Sequence, residues 1–426
     1  MKKLIALLLA ALMVFALCAC SGNTSTTAGN SGTNTTAGNS GTTAPADTGS
    51  TDASAPADTG STDAAPADEA PEDNTPAPAE AITDPNLIED TMTSADGKYQ
   101  IAMVTDVGQL KDGSFNEGTW NGVKLYAANN GKSYKYYQPA NGSAATDDDR
   151  YDAMAAAAEA GAELIVCPGF LQAAALEKAA TNYPETNFLF IDGWSLGLDN
   201  VAAVCYQEEQ CGYFAGYAVV KDGFTKLGFC GGGGGTNPAC CRYGYGFVQG
   251  ANAAAAELGV QVDVNYTWLY GASYSPSSEL QTLANGWYVN GTEVIFACGG
   301  TICDSIFAAA GANDGYVVGV DVDQSGDSDT VITSAMKELA VSVQQIAAKL
   351  YAGDWASVGG TCVTLGAADG DTGLPTAEAS WRFNTFTVAE YEAMFADVVA
   401  GNIVIDADYE ANFNQDYSNV TVNVIE

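Results

Sequence analysis

From about residue 98 onward, short apolar runs alternate with longer segments that are rich in alanine or carry an apolar stripe. The runs at 101–104, 164–167 and 187–191 are each followed within two residues by proline or aspartate. Short, continuously apolar strands separated by helices are typical of parallel sheets that are covered on both faces. The pattern therefore predicts an α/β fold with parallel sheets flanked by helices.

The same alternation runs twice along this region. Strands are predicted at 101–104, 134–137, 164–167, 187–191, 201–206, 226–230, 262–268, 293–297 and 316–320. Helices are predicted at 147–160, 170–183, 207–220, 240–258, 277–288, 303–310, 335–351 and 388–400. Two rounds of strands and helices in a region of this size predict two lobes, and a cleft between lobes is the default place for a ligand.

The tail decides how the lobes are divided. A helix at 335–351 should return the chain to the first lobe, so we assign 98–203 and 330–426 to that lobe and 204–329 to the second. The segment 361–380, rich in glycine, aspartate and threonine, receives no assignment. The whole region 98–426 is then one ligand-binding domain.

The stretch IAMVTDVGQLKDGSFN at 101–116 is a predicted strand that runs into a loop and a helix. Ser114 is a plausible N-cap of that helix, since Glu117 stands at the capping-box spacing. In open α/β sheets ligands bind beyond the carboxyl ends of the strands. We therefore expect Asp106, Phe115 and Asn116 to lie at the rim of the cleft.

These residue types suit a nucleoside. The Asp106 carboxylate can accept hydrogen bonds from sugar hydroxyls, Asn116 can donate and accept, and the Phe115 ring offers a flat face to a base. The plainer alternative, that Phe115 is a core residue and Asp106 a turn former, is equally compatible with this stretch alone.

Further polar residues follow other predicted strands. Asp321 comes directly after the strand at 316–320 and Asp192 after the strand at 187–191, while Tyr274 lies in a glycine- and serine-containing loop. The two carboxylates could hold ribose hydroxyls and Tyr274 could cover the second face of a base. Several carboxylates could also bind magnesium or calcium, but no dense D-x-D-x-D loop is present, so we expect no metal.

The N-terminus has the features of an export signal. Lys2 and Lys3 precede an apolar run at 4–17, and Ala19 and Cys20 follow it. The run is short for a bilayer span, and the arrangement is typical of a bacterial lipoprotein signal peptide at 1–19 with lipid on Cys20. An ordinary secretory signal would preserve export without the anchor. Residues 20–97, rich in Thr, Ser, Pro, Gly and Asp, are predicted to form a disordered tether at the outer face of the cell membrane.

Composition excludes several functions. With 15 basic and 52 acidic residues the net charge is −37, which disfavours nucleic acid and multiply charged phosphates as ligands. The chain has no histidine, which removes Ser-His-Asp and Cys-His catalysis and histidine-ligated zinc. We expect a protein that is not an enzyme and has no cofactor. The nine cysteines beyond Cys20 should be mostly free and buried, although the pairs 240/241 and 298/303 could form disulfides.

Between residues 101 and 337 the chain carries, in this order, IAMVTDVGQLKDGSFNEGTWNGV, FLFIDG, EEQCGYFAGY, RYGYGFVQGA, YTWLYGASYSP, GVDVDQS and VITSAMK. These motifs resemble the basic membrane protein family of substrate-binding lipoproteins, whose best-known members bind purine nucleosides. The resemblance covers most of 98–405. It implies the two-lobed type I periplasmic binding protein fold, with a hinge and an inter-lobe cleft. It further implies capture of a purine nucleoside and its delivery to an ABC-type permease. We expect the protein to be a monomer.

The resemblance also implies site residues. Asp106, Asn116 and Asp321 look like polar ligands of ribose and base, and Phe115 like a stacking ring. The remaining positions are a second ring, backbone contacts and two charged side chains: Tyr274, Gly299, Gly300, Asp192 and Lys337.

Departures from the family pattern leave the ligand open. Gly113 replaces a commonly charged residue, and tyrosines at 243 and 274 stand where phenylalanine is common. Independently of these departures, three alternatives remain: a sugar receptor of the same fold, a nucleoside hydrolase with Asp106 and Asp112 as a metal-binding pair, and a signalling lipoprotein without a transporter.

Overall fold

The structure is a computed structural model that describes residues 81–107 and 109–426. The predicted signal peptide at 1–19, the lipid attachment at Cys20 and the tether up to residue 80 lie outside the described residues. Within the described part of the chain, no helix combines the length and the apolar character that crossing a bilayer requires.

The end of the predicted tether is ordered against the first lobe, which corrects the boundary at residue 97. The ammonium of Lys124, 1% exposed, donates to the carbonyl oxygens of Pro85 and Ile88 at 3.1 and 3.3 Å. It also donates to the Asp90 carboxylate at 2.8 Å. A buried ammonium requires oxygen partners, and this segment supplies them. The folded body therefore begins well before residue 98.

The first lobe is built on parallel strands joined by helices. Its first five strands are β1 (Ile101–Val104), β2 (Tyr134–Tyr137), β3 (Leu164–Pro168), β4 (Asn187–Ile191) and β5 (Val201–Tyr206). Its first helices are α1 (Phe115–Asn129), α2 (Asp147–Glu159) and α3 (Ala173–Asn182). Ile101 and Met103 pack into one core cluster and Ala102 and Val104 into another, as expected for a strand that is covered on both faces. The strand and helix predictions for this region are confirmed to within a few residues.

The second lobe repeats the plan. Its helices are α4 (Glu208–Lys221), α5 (Pro238–Leu258), α6 (Ser278–Val289) and α7 (Ile302–Ala312). Its strands are β6 (Lys226–Gly231), β7 (Val262–Thr267), β8 (Val294–Cys298), β9 (Tyr316–Asp321) and β10 (Val331–Lys337). The tail adds α8 (Leu339–Tyr351), β11 (Cys362–Leu365), β12 (Thr372–Gly373), α9 (Val388–Val399), α10 (Tyr409–Asn412) and β13 (Val420–Ile425).

The strands form two sheets. The first has the order β11-β5-β4-β3-β1-β2 and the second the order β12-β10-β9-β8-β6-β7-β13. Neighbouring strands are parallel, except that β12 runs antiparallel to β10. The predicted architecture of two α/β lobes is confirmed.

The tail is divided between the lobes, which corrects the assignment of 330–426 to the first lobe. Strand β10 pairs with β9, and β13 covers the free edge of β7, so both belong to the second sheet. Only α8, packed on α1, and β11, paired with β5, return to the first lobe. The predicted helix at 335–351 begins at Leu339, because residues 335–337 continue β10. The unassigned segment 361–380 contains β11 and β12.

Three crossovers connect the lobes, at 206–208, 337–339 and 365–372. Hydrogen bonds join them side by side: Gln207 N donates to Leu365 O at 2.9 Å, and Glu338 N donates to Asp371 O at 2.9 Å. Parallel connections of this kind form a hinge, because each can absorb a small rotation of one lobe relative to the other.

Close packing of α4 on α5 positions charged residues near this hinge. A Cβ at Gly212 would lie 2.0 Å from the Tyr243 carbonyl oxygen, and one at Gly246 would lie 2.0 Å from the Glu209 carbonyl oxygen. The two helix backbones therefore approach each other more closely than any side chain would allow. This approach places the buried Glu208 carboxylate 2.7 Å from the Arg242 guanidinium.

Candidate functional site

A cavity of about 820 Å³ lies between the carboxyl ends of the strands of the two sheets. All the residues that sequence reasoning selected for ligand binding line it, namely Asp106, Phe115, Asn116, Asp192, Tyr274, Gly299, Gly300, Asp321 and Lys337. Their role toward a ligand stays a prediction. Asn237 and Gln109 also line the cavity, although neither carries a sequence signal that separates it from an ordinary loop residue.

On the first-lobe side, the start of α1 is held by Asp112. Its carboxylate accepts hydrogen bonds from the backbone N–H groups of Ser114, Asn116 and Glu117, each at 3.0 Å. The predicted capping box at Ser114 is wrong, since that side chain makes no cap hydrogen bond. Asp112 takes its place because a carboxylate two residues before the N-cap can reach several free N–H groups at once.

Asp112 also fixes the Asn116 side chain. Asn116 Nδ2 donates to Asp112 Oδ2 at 3.0 Å and to Asp106 Oδ1 at 2.9 Å, while its Oδ1 accepts from Asp106 N at 3.2 Å. Burial raises the pKa of Asp112 to about 6, against the hydrogen bonds that act to lower it. The three side chains form one pre-arranged polar wall.

The same carboxylates argue against the metal-dependent hydrolase. A metal bridging Asp106 and Asp112 would need free oxygens that face each other, but the Asn116 amide lies between them and donates to both. The remaining capacity of Asp112 is used by the helix N–H groups. Within 81–107 and 109–426, no group of three or more His, Cys, Asp or Glu side chains is arranged to hold a metal ion together.

Asp321, at the end of β9, joins the two walls. Its Oδ2 accepts a 2.6 Å hydrogen bond from the Ser114 hydroxyl of the first lobe, and its Oδ1 accepts from the Tyr243 hydroxyl at 3.3 Å. Its φ of +67° is a left-handed backbone conformation that is rare for a residue with a side chain. Gln324 makes a second bridge, donating to Gly113 O at 2.9 Å.

The floor of the cavity is an ionic cluster around Lys337, which is 2% exposed. Its Nζ lies 2.6 Å from Asp192 Oδ2, 3.5 Å from Glu208 Oε1 and 3.7 Å from Asp321 Oδ1. Burial acts to lower the pKa of Lys337, but these carboxylates outweigh it and raise that pKa well above its ordinary value. Lys337 stays charged, and its ammonium lies 4.7 Å from the centre of the Phe115 ring.

The Asp192 carboxylate is only partly paired by this cluster. Burial raises the pKa of Asp192 to about 7, although the Lys337 ammonium acts in the opposite direction. Its Oδ1 is buried and, among the described residues, has no hydrogen-bond partner. A buried oxygen of this kind is costly unless something completes its hydrogen bonding, and a ligand hydroxyl could do so.

On the second-lobe side, Tyr274 lies in a cradle of glycines. A Cβ at Gly232 would lie 2.6 Å from the Tyr274 ring, and Gly299 and Gly300 adopt φ values of +140° and +53° beside it. Asn237 Nδ2 donates to the Tyr274 hydroxyl at 2.9 Å. Burial raises the pKa of Tyr274, so its hydroxyl stays protonated at neutral pH. This part of the second-lobe wall offers a ring and backbone groups, whereas the charged lining residues of that lobe are Asp304, Asp321 and Lys337.

Comparison with known proteins agrees with this geometry. The family model for PnrA-like ABC transporter substrate-binding proteins matches residues 99–393. The ABC transporter nucleoside-binding protein BmpA of Lactococcus lactis is 30% identical over 301 residues, which are 65% of this chain and 82% of that protein. Basic membrane protein B of Borreliella burgdorferi is 32% identical over 247 residues, which are 56% of this chain and 69% of that protein.

Solved structures show the same fold. A solute-binding protein of an ABC transporter system from Aeropyrum pernix covers 74% of this chain and 96% of its own, with a TM-score of 0.61 and 21% identity. The expectation of a periplasmic solute-binding fold is thereby confirmed. The chain belongs to the PnrA-like family of ABC transporter substrate-binding proteins.

Proposed function

We propose that this substrate-binding protein captures purine nucleosides in the cleft between its lobes and delivers them to an ABC-type permease. The observation that carries the proposal is the convergence of Asp106 and Asp321, one from each lobe, on a cavity that also contains the rings of Phe115 and Tyr274. Acceptors for sugar hydroxyls and faces for a flat base are thus present together. The name of the nucleoside-binding relative from Lactococcus lactis supports the same ligand class.

The charge of the site favours a neutral ligand. Asp106, Asp192 and Asp321 face the cavity with Lys337 among them, and Lys337 is already paired with two of these carboxylates. A phosphate would meet more negative than positive charge, whereas hydroxyl groups would meet acceptors. A nucleoside satisfies this pattern and a nucleotide does not.

The energetics are sufficient for tight binding. Stacking of a base on an aromatic ring contributes on the order of 1–3 kcal/mol per face, and a hydrogen bond to a charged group roughly 1.5–3 kcal/mol. The binding free energy from two stacked faces and two such hydrogen bonds, after subtraction of the cost of ordering the ligand, corresponds to micromolar affinity or better. Because each lobe holds only part of the contacts, the ligand favours the form in which the walls approach each other.

We further propose that the protein is held at the outer face of the cell membrane by lipid on Cys20, after removal of residues 1–19. The sequence around Cys20 supports this proposal. Labelling cells with a fatty-acid analogue should label the wild type, and Cys20→Ser should abolish the label. A labelled Cys20→Ser variant would contradict the anchor.

A calorimetric titration of the folded body with adenosine, guanosine, inosine, uridine and ribose tests the ligand class. We expect the purine nucleosides to bind, uridine to bind more weakly because its ring stacks over a smaller area, and ribose not to bind detectably. Ribose binding as tight as that of inosine would instead indicate a sugar receptor. Release of free base on incubation with inosine, abolished by a chelator, would indicate a hydrolase.

A further inference from the structure

Two cysteines differ from all the other described ones. Of the nine cysteines between residues 167 and 362, seven are buried, whereas Cys205 and Cys362 are partly exposed. These two also touch, with their Sγ atoms 3.5 Å apart. A partly exposed thiol is accessible to reagents in a way that a buried one is not.

The strand register places the two cysteines diagonally across neighbouring strands. Cys362 pairs with Ala203 and Thr364 pairs with Cys205 across the parallel strands β5 and β11. Residues two apart on a strand share a face, so both thiols lie on the same side of the sheet. The Thr364 hydroxyl lies 3.2 Å from Cys205 Sγ, and the Gly193 carbonyl oxygen lies 3.7 Å from Cys362 Sγ.

The contacts divide the roles of the two sulfurs. The hydrogen bond with Cys362 lowers the pKa of Cys205 to about 6, and the same hydrogen bond raises the pKa of Cys362. The positive charge of Arg242 acts to lower both. The additional contact of Cys205 Sγ with the Thr364 hydroxyl, which can donate to a thiolate, likewise favours Cys205 as the attacking sulfur and Cys362 as the partner thiol.

We propose that Cys205 and Cys362 form a redox-sensitive dithiol, which low-molecular-weight disulfides convert reversibly to an intramolecular disulfide. The Cys205 thiolate attacks one sulfur of the external disulfide, forming a mixed disulfide and releasing one thiolate. Cys362 then loses its proton to solvent and attacks Cys205 Sγ, releasing the second thiolate. The protein loses two electrons and two protons, and the external disulfide becomes two thiols.

The position of the pair links it to the hinge. Cys205 is followed by Tyr206 and the first crossover, and β11 leads into the third crossover. A disulfide requires its sulfurs much closer than 3.5 Å, and Cys362 pairs with Ala203 rather than with Cys205, so oxidation must shift the two side chains and the adjoining backbone of β5 and β11. Gly193, beside Cys362, follows the cavity residue Asp192 directly. Both strands belong to the first-lobe sheet, so the disulfide does not span the lobes; it fixes the starts of the first and third crossovers relative to each other. We expect this to restrain the hinge and weaken ligand binding, a consequence that rests on the proposed function.

The first experiment tests the dithiol itself. The fully reduced, full-length protein is incubated with oxidised glutathione, and the linked peptides are mapped by mass spectrometry before and after treatment with reductant. We expect a Cys205–Cys362 crosslink that reductant reverses. Cys362→Ser should stop at a glutathione adduct on Cys205, and Cys205→Ser should react much more slowly. Cys167→Ala, which removes a buried thiol, should form the crosslink as the wild type does. Absence of the crosslink, with both thiols recovered free, would overturn the proposal.

The second experiment tests the link to binding, with inosine as the probe for both forms. Oxidation should weaken inosine binding by at least about fivefold in the wild type. In Cys362→Ser no disulfide can form, so oxidant should change the affinity only through the glutathione adduct on Cys205. Blocking Cys205 of this variant with iodoacetamide measures the effect of an adduct separately. Equal affinity of the oxidised and reduced wild type would overturn the restraint of the hinge. If inosine binds neither form, the proposed function fails, while the crosslinking result stands on its own.

Discussion

The two walls of the cleft are organised in opposite ways. On the first-lobe wall, Asp106, Asp112 and Asn116 hold one another by hydrogen bonds of 2.9–3.2 Å. On the second-lobe wall, Tyr274 is held by backbone that only glycine leaves open, as at Gly232. The first wall is fixed by hydrogen bonds between side chains, whereas the Tyr274 ring is fixed mainly by the close approach of glycine backbone, with one hydrogen bond from Asn237 to its hydroxyl. Ligand affinity should therefore fall when a hydrogen-bond acceptor is removed from the first-lobe wall, or when a methyl group is added to a glycine of the second-lobe wall.

The largest effect is expected for Asp112→Ala on the first-lobe wall. Three helix N–H groups and the Asn116 amide lose a buried acceptor, which should reduce the free energy of unfolding by about 3 kcal/mol. Nucleoside affinity should fall as well, because Asn116 is no longer held. Denaturant unfolding and calorimetry measure the two effects.

The matched control is Glu390→Ala, which removes an exposed carboxylate that caps α9 and lies outside the cavity lining. It should cost about 1 kcal/mol of stability and leave affinity unchanged. If Asp112→Ala were as mild as this control, the pre-arranged wall would be refuted.

Phe115→Ala comes next and removes the ring of the same wall. Affinity for inosine should fall by on the order of 10- to 100-fold, the equivalent of one stacked face, with little change in melting temperature because the ring is only partly buried. Phe307→Ala is the control, since that ring is also partly buried but lies in another cluster and outside the cavity lining. Unfolding of Phe115→Ala with normal residual affinity would show that Phe115 is a core residue.

Gly232→Ala tests the second-lobe wall. The added methyl would lie 2.6 Å from the Tyr274 ring and must displace it, so affinity should fall by about tenfold, within the value of a stacking contact. Gly286→Ala is the matched control: it lies in α6 with open space around it and should be neutral or slightly stabilising. Unchanged affinity of Gly232→Ala would mean that Tyr274 does not contact the ligand.

The smallest effect concerns the hinge between the walls. Both carboxylate oxygens of Asp371 are buried and, in the described part of the chain, lack hydrogen-bond partners. Burial raises the pKa of Asp371 to about 6, so the folded state binds this proton more tightly than the unfolded state. Ionisation of Asp371 therefore lowers the free energy of unfolding. This loss of stability is absent below the pKa of Asp371 in the unfolded chain, near 4, and fully present above pH 6 to 7.

Asp371→Asn should therefore raise the melting temperature at pH 8 by about 2–4 °C and change it little at pH 4. Differential scanning calorimetry at the two pH values measures this difference. Asp329→Asn removes the same charge from an exposed position and should show no such pH dependence. A gain for Asp371→Asn that is equal at both pH values would contradict the assignment of this loss of stability to ionisation.

Much of the fold was determined by local sequence. The alternation of apolar strands with helices predicted strands such as β3 and β4, because a buried parallel strand needs apolar side chains on both faces. The residues that follow those strands were predicted to share a rim, since parallel strands end at one edge. All the selected site residues line one cavity for that reason, although their contacts with a ligand stay predictions.

The tertiary structure alone decided the remaining features, because they depend on contacts between distant segments. Nothing near Ser114 indicates that its hydroxyl donates to Asp321, 207 residues away, while Asp112 caps the helix. The return of β13 to the edge of β7 and the contact of Cys205 with Cys362 are equally non-local. Sequence periodicity reports which face of an element is buried, whereas the partner across a sheet edge or a hinge is chosen only when the chain packs.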